Sequence, residues 1–393
     1  MTAGGPRRLL MIEQGGRGGV ADYTGALVAA LAARGWAVDL ASADDHLYQP
    51  VDGVTHHRVF HYVRETTALG RTLRRVGLKR PLNGVLFILS LPRLTMLARR
   101  ADVVHTQGWE IPQLGLLAML CLRAAGRPVV QTAHSTFERP GRLPRLRRAM
   151  RERSARIAAR TIVHTAADVE RLSPSAARRA VVIPHGEYGG LAREGGVADR
   201  DAARAELGIP AGAPVTLMFG QLRTDKGLGD LIDAVRALPE LHLLIGGQDN
   251  GGLAEQAQAL ADPALRGRVT IREGFLEMSD AAKLFAASDT VSLPYRVASA
   301  SGVLLLAYGF RRPVVVYPVG GMGEAVLDGE TGWICARPDR DALIDALADT
   351  IRVGAAECLR RGEAGERLAD ERYSWQAIAA RTAEVYGEVL DDG

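Results

Sequence analysis

Two successive series of short apolar strands, each strand followed by an amphipathic helix, constrain this chain more than any other feature. The first series has strands at 8–12, 37–41, 103–106, 129–132 and 161–164, with helices at 23–34 and 114–125. The second restarts at 215–219 and continues at 241–246, 269–272, 290–293 and 314–317, with helical spacings between. Apolar runs of strand length alternating with helices specify parallel sheets covered on both faces. The expectation is an α/β protein of two doubly wound domains, with ligands beyond the carboxyl ends of the strands, in a cleft that the two domains face. The chain has 393 residues, too many for one ordinary core. We place the domains at 1–190 and 191–373, with the Gly-, Ala- and Pro-rich stretch 186–214 at the boundary, and a closing helix within 374–393 whose apolar positions lie on one face.

Composition excludes several classes. No run of 18 uncharged apolar residues is present, so no transmembrane span is expected, and residues 1–8 lack the apolar core of a signal peptide. Cys121, Cys335 and Cys358 have no metal-ligand spacing and read as reduced thiols, which fits a cytoplasmic protein. No His/carboxylate cluster suggests a metal. Charge is uneven: residues 1–190 carry 28 Lys/Arg against 14 Asp/Glu, and the remainder carries 21 against 31. A basic half suits an anionic membrane surface, an acidic substrate or plain solvation. The Arg-rich segment 142–160 concentrates that charge, and 82–97 is apolar enough for core or membrane.

Four turns carry the chemistry. Strand 215–219 ends in Gly220-Gln221-Leu222-Arg223-Thr224-Asp225-Lys226-Gly227, and a helix begins at Leu228. Two cations at a strand-to-helix turn suit a diphosphate, and Lys226 is one of only three lysines in an Arg-rich chain. After strand 290–293, Ser301, Gly302 and Val303 offer N–H groups at a helix start, with Ser301 also fitted to cap it; Arg296 lies nearby. The loop Gly15-Gly16-Arg17-Gly18-Gly19 allows close approach by an anion or sugar but does not match the dinucleotide pattern G-x-G-x-x-G, which makes a nicotinamide or flavin cofactor a poor fit. His105 and His134 stand at the ends of neighbouring strands, where an imidazole can donate to a sugar or phosphate or exchange a proton. His105 reads equally as a core residue. Glycines at 320, 321 and 323 with Glu324 punctuate the end of the second series.

In this order and spacing, these pieces resemble a GT-B glycosyltransferase, and more narrowly the retaining, nucleotide-sugar-dependent family 4. The resemblance covers almost the whole chain. It implies two Rossmann-like domains, the last helix crossing back to the first, the donor held mainly by the second domain and the acceptor by the first. It implies no cofactor and no metal, only the nucleotide-sugar donor. Residue by residue, it assigns catalysis to His134, Arg223 and Lys226, and the donor diphosphate to Gly18, Gly19, Arg223, Lys226, Ser301, Gly302 and Val303. The nucleotide base falls by Gly274, Phe275 and Leu276, and the acceptor by Gly16, Arg17, Tyr23 and His105. Two carboxylates common in the family, eight residues apart, are here Ala298 and Leu306, and the Arg that usually follows the glycine is Gln221, with Arg223 two places on.

The expected activity is transfer of a sugar, with retention, from a nucleoside diphosphate to a small metabolite, a natural-product precursor or a lipid carrier. No nucleic-acid partner is expected, and a peripheral contact with the inner membrane surface is compatible with the basic half. A 2-epimerase-like enzyme on the same fold, and a nucleotide- or membrane-binding module without catalysis, remain alternatives. The sugar, the base, the acceptor atom and the oligomeric state are not legible.

Overall fold

A computed structural model describes residues 6–16, 19–43, 49–64, 67–109, 111–134, 144–186, 192, 195–196, 198–298 and 300–392. The chain forms two compact units, Met1–Pro184 with Trp375–Gly393, and His185–Ser374.

The first unit is a seven-stranded parallel sheet: β1 (Arg8–Glu13), β2 (Ala37–Ala43), β3 (Val54–Phe60), β4 (Val103–Thr106), β5 (Val129–Thr132), β6 (Arg160–Val163) and β7 (Ala180–Val182), in the order β3-β2-β1-β4-β5-β6-β7. The order reverses between β1 and β4, so the ligand-binding edge lies beyond their carboxyl ends. Helices α1 (Gly19–Ala33), α2 (Ala68–Arg75), α3 (Lys79–Arg100), α4 (Pro112–Ala124) and α5 (Pro144–Ile157) cover it. β1 alternates its side chains between two cores. Leu9 and Met11 join α1 and the final helix, whereas Leu10 and Ile12 join α3 and α4.

The second unit has six parallel strands, β8 (Val215–Phe219), β9 (His242–Gly247), β10 (Val269–Glu273), β11 (Thr290–Leu293), β12 (Val314–Val316) and β13 (Gly332–Ile334), ordered β10-β9-β8-β11-β12-β13. Its reversal lies between β8 and β11. The covering helices are α6 (Arg200–Leu207), α7 (Leu228–Ala237), α8 (Met278–Ala287), α9 (Gly302–Gly309) and α10 (Arg340–Tyr373), the last broken at Gly354. α11 (Trp375–Asp391) returns to the first unit, where Ile378, Ala379, Val385, Tyr386 and Val389 enter the α1 core.

The α/β fold of two parallel sheets agrees with the strand–helix alternation. Strands β3, β7 and β13 were not legible in it. β3 is half polar (Thr55, His56, His57, Arg58), and the other two have three residues each, too short to show a period. The apolar segment 82–97 is only partly core. Phe87, Leu91, Leu94 and Leu97 of α3 are buried, whereas Val85, Ile88, Leu89 and Met96 are exposed. By length and composition α3 is also apolar enough to cross a membrane, which the run-length criterion did not register.

Candidate functional site

In the second unit, the cationic turn and the helix start meet at the switch point of the sheet. Thr224–Lys226 forms one turn of 3-10 helix, and Gly227 follows at φ 76° to start α7. A Cβ on Gly227 would collide with the carbonyl of Pro294, so only glycine lets the β8 turn pass this close to the loop after β11. The Arg296 N–H donates to the Asp225 carbonyl at 2.9 Å and ties the two loops together.

Lys226 sits over the Tyr295 ring, its Nζ 3.4 Å from the centroid. Burial, and then Arg223, lower its pKa from 10.5 to about 8, with Asp225 opposing. Arg223 is held by Asp225 through two hydrogen bonds, Nε to Oδ1 at 2.8 Å and Nη2 to Oδ2 at 2.7 Å. The pairing raises the arginine pKa and lowers that of the aspartate. A partly buried ammonium beside a clamped but exposed guanidinium is a positive site where an anion is held more strongly than in open water. Ser301 caps α9, accepting from the Leu304 N–H at 3.3 Å. Its hydroxyl also bonds Tyr295, whose pKa burial pushes up to about 12. Tyr295 therefore touches both the cation and the helix start, and Gly302 and Val303 follow in the first turn of α9.

Arg296, expected to add charge here, is taken up by Asp230 through Nη2 contacts of 2.8 and 2.7 Å, and Tyr317 Oη donates to the same carboxylate at 2.8 Å. Gly274, Phe275 and Leu276 follow β10 along the same sheet edge. The Gly274 N–H donates to the Gly247 carbonyl at 3.0 Å, and Phe275 is 83% exposed. Ala298 and Leu306, which replace the family's carboxylates, are buried in the α9 core.

In the first unit, His134 heads a chain of hydrogen bonds. Its Nε2 lies 2.8 Å from Gln107 Oε1 and its Nδ1 lies 3.2 Å from His164 Nε2, while His164 Nδ1 donates to the Ile183 carbonyl at 3.1 Å. Burial lowers the His164 pKa to about 4, so this ring is neutral near pH 7. With its proton on Nδ1, its Nε2 accepts, and His134 Nδ1–H is the donor. His134 Nε2 is left facing the Gln107 carboxamide. The amide orientation decides whether Gln107 donates to that nitrogen or accepts from it.

The glycine loop is built differently from expectation. Gly15 and Gly16 donate their N–H groups to the buried Glu13 carboxylate, both at 2.6 Å. These donors are already spent on an internal anion. Gly19 opens α1, and Arg17 and Gly18 lie outside the described residues. Two of the expected acceptor residues are buried. Tyr23 is core, with its ring 4.8 Å from His134 and 5.1 Å from Trp375. His105 is fully buried between Tyr386 Oη at 2.6 Å and Thr132 Oγ1 at 2.7 Å, and burial lowers its pKa to about 3. Tyr23 lies on the face of α1 that packs on the sheet, and His105 lies within β4 with its side chain under α11.

Next to His134, a cavity of about 760 Å³ opens between β5, β6, α4 and α5, within the volume range of small-molecule sites. His134, Gln107, Trp109, Gln131, Thr161 and Arg147 are among its lining residues. Sequence reasoning missed Gln107, His164, Glu13 and Tyr295 as parts of these sites. Only Tyr295 had a signal: an aromatic residue directly after a strand-ending proline, in a loop already singled out.

Comparison with known proteins agrees with this architecture. Residues 199–368 match the family model "Glycosyl transferases group 1", and residues 18–186 match "Glycosyl transferase 4-like domain". A D-inositol 3-phosphate glycosyltransferase of Mycobacteroides abscessus is 27% identical across 96% of this chain and 86% of its own length. A glycogen synthase of Mycobacterium tuberculosis is 33% identical over 47% of this chain and 46% of its own. Among solved structures, a sucrose-phosphate synthase from Thermosynechococcus elongatus superposes with TM-score 0.74 at 21% identity, covering 98% of this chain and all of that one, 100%. The Anabaena protein HepE in complex with UDP gives 0.73 at 19% identity, covering 97% and 100%. Two matched domains in sequence, the sheet topologies and the GT-B neighbours place the chain among the group 1, GT-B fold glycosyltransferases, enzymes that use nucleotide-sugar donors.

Proposed function

We propose that this glycosyltransferase works with retention and without a metal, and that the Lys226–Arg223 pair receives the leaving diphosphate. The observation that carries the reading is the partly buried ammonium of Lys226, held on Tyr295 beside the start of α9. The bond from the anomeric carbon to the diphosphate oxygen breaks, the acceptor oxygen bonds that carbon from the same face, and the acceptor proton passes to the departing diphosphate. Negative charge grows on the diphosphate during this step, where the two cations and the N–H groups of Ser301, Gly302 and Val303 stabilise it. The cations take the part that a divalent ion plays in other phosphate chemistry. His134 contacts the sugar next to the reacting carbon, and Phe275 offers an exposed ring for the nucleobase. With the two carboxylates replaced by Ala298 and Leu306, recognition of the sugar and ribose hydroxyls passes to other groups.

A thermal-shift panel of UDP, GDP, ADP and TDP identifies the base, because a ligand of the native state raises its stability. Lys226→Ala and Arg223→Ala should each lower turnover by roughly 10²–10³-fold. Near-normal turnover in both variants overturns the assignment. Incubating the matched donor without acceptor and finding an epimerised free sugar would replace transfer by epimerisation.

A further inference from the structure

The two faces of the first unit's sheet are covered by helices of opposite character. α1 and α11 pack on one face with Leu9 and Met11, whereas α3, α4 and the end of α5 pack on the other with Leu10 and Ile12. α1 and α11 carry one cation, Arg381, against four carboxylates, Asp22, Glu384, Glu388 and Asp391. α3, α4 and α5 carry 12 Lys/Arg against one carboxylate, Glu152. Arg80, Arg93, Arg99, Arg100 and Arg123 are exposed and make no ion pair among the described residues.

Exposed apolar side chains follow the same division. Among the described residues of the first unit, every exposed large apolar side chain lies on α2 to α5 or at the joint and cap beside them, and none lies on α1 or α11. The densest group is on α3. Phe87, Leu91 and Leu94 turn to the sheet, whereas Val85, Ile88, Leu89 and Met96 are exposed, Val85 by 53% and Leu89 by 69%. Their spacing puts them in one stripe along the side of α3 away from the core. Leu117 and Leu120, exposed on neighbouring α4, widen that stripe. A helix that is apolar all round is normally covered all round. Here the core takes one side and water meets the other.

We propose that the α3–α4 face of the first unit docks on an anionic lipid bilayer. An apolar stripe bordered by cations, on a face almost cleared of carboxylates, complements a surface that is negative at its boundary and apolar beneath. The cations are spread over three helices around the stripe, which suits a charged plane better than a single acidic peptide. α3 is long and apolar enough to cross a membrane, but Phe87, Leu91 and Leu94 are committed to the core. It therefore lies along the bilayer. Ile88 and Leu89 enter below the headgroups, and the arginines lay their stems on the apolar stripe and reach the lipid phosphates. This docking places the protein at a membrane whatever its acceptor, and it does not rest on the roles of Lys226 and Arg223.

The whole chain is co-sedimented with vesicles of phosphatidylcholine, with and without phosphatidylglycerol, at about 0.1 M and about 1 M salt. At the lower salt the anionic vesicles should bind at least about 10-fold more tightly, and the higher salt should remove most of that preference. One arginine near such a surface strengthens binding by about 5-fold, so Arg93→Gln, Arg99→Gln and Arg100→Gln together should weaken it by about 100-fold. Ile88→Asn with Leu89→Asn should weaken it by at least about 10-fold. All five side chains are exposed, so unchanged melting establishes that the variants are folded. Arg381→Gln, on the acidic side, should leave binding as it was. Leu89→Trp should be quenched by brominated acyl chains, and Glu384→Trp on α11 should not. No preference for anionic vesicles, binding that survives both sets of variants, or quenching from the α11 position overturns the proposal. A dimer in sedimentation velocity that Leu89→Asn dissociates, without vesicle binding, assigns the face to a second copy of the chain and overturns it too.

Discussion

At Lys226, folding and chemistry pull in opposite directions. Burial and the neighbouring Arg223 bring its pKa from 10.5 to about 8. A drop of that size is roughly 3 kcal/mol of lost preference for the ammonium, before discounting for its partial contact with water. The Tyr295 face beneath it returns about 1 kcal/mol, leaving about 2 kcal/mol. The sign follows from proton linkage. As pH falls from 10.5 towards about 8, the unfolded chain takes up a proton that the folded chain refuses. The folded state loses stability through this window, and the loss is complete below it. Lys226→Met keeps the apolar stem on Tyr295 and removes the charge. Without ligand near pH 7, the variant should be the more stable protein by about 2 kcal/mol, a Tm gain of roughly 4–8 °C for a unit of this size. The gain should fade as pH rises through 10.5 and vanish above it, where both the folded and the unfolded lysine have lost their charge. The same variant should lose turnover and diphosphate affinity, since the desolvated cation is what the anion meets. Calorimetric melts of both proteins at the two pH values, with nucleoside diphosphate titrations, check all three. A methionine variant that melts below the wild type near pH 7, or one that gains stability and keeps its turnover, refutes the reasoning.

Gly227→Ala should fail on two counts, the positive φ of 76° and the collision with the Pro294 carbonyl. It should destabilise by about 1–3 kcal/mol and displace Lys226 from Tyr295, which urea melts and UDP affinity read together; an alanine variant with wild-type affinity would contradict the account of the turn. Acid should weaken the first unit through His105, whose pKa of about 3 lies below its ordinary 6.5. The unfolded chain gains a proton there as pH falls through 6.5, so this residue alone should cost roughly 2 kcal/mol by about pH 5. His105→Gln should flatten the fall in urea midpoint over that range by one proton, and an unchanged slope would show that His105 is not neutral in the fold.

The parts of the protein that repeat along the chain were legible in it. Strand–helix alternation gives the two parallel sheets, because in a parallel sheet both strand faces are buried and each strand reads as a short apolar run, as Leu243, Leu244 and Ile245 do in β9. The β8 turn and the β11 loop were legible as candidates for the same reason. In a doubly wound sheet every strand end faces one edge, so cations and small residues at strand ends gather without any knowledge of strand order. Pairings that depend on the order were not legible. Gln107 meets His134 because β4 lies beside β5, and His164 meets it because β6 lies on the other side. Neither neighbour relation can be read from spacing.

Alternation explains why His105, expected near the acceptor, is buried, and it says what separates it from the strand-end His134. His105 lies within β4, and its side chain points across the sheet face to Tyr386 of α11 and to Thr132. His134 lies two residues past the end of β5, where the chain has left the ladder, and it lines the cavity. Inside a strand, alternation sends a side chain to one face or the other, under a covering helix. Beyond the last ladder bond the side chain is released to the edge. Leaving the ladder by two residues therefore separates His134, at the cavity, from His105, in the core. The glycine loop obeys a similar rule. Its N–H groups were read as free for a ligand, but Glu13, the last residue of β1, already accepts from Gly15 and Gly16. A carboxylate closing the strand before a glycine loop fixes that loop internally and repels a second anion, which agrees with the proposed placing of the diphosphate at the β8 turn beside Arg223 and Lys226.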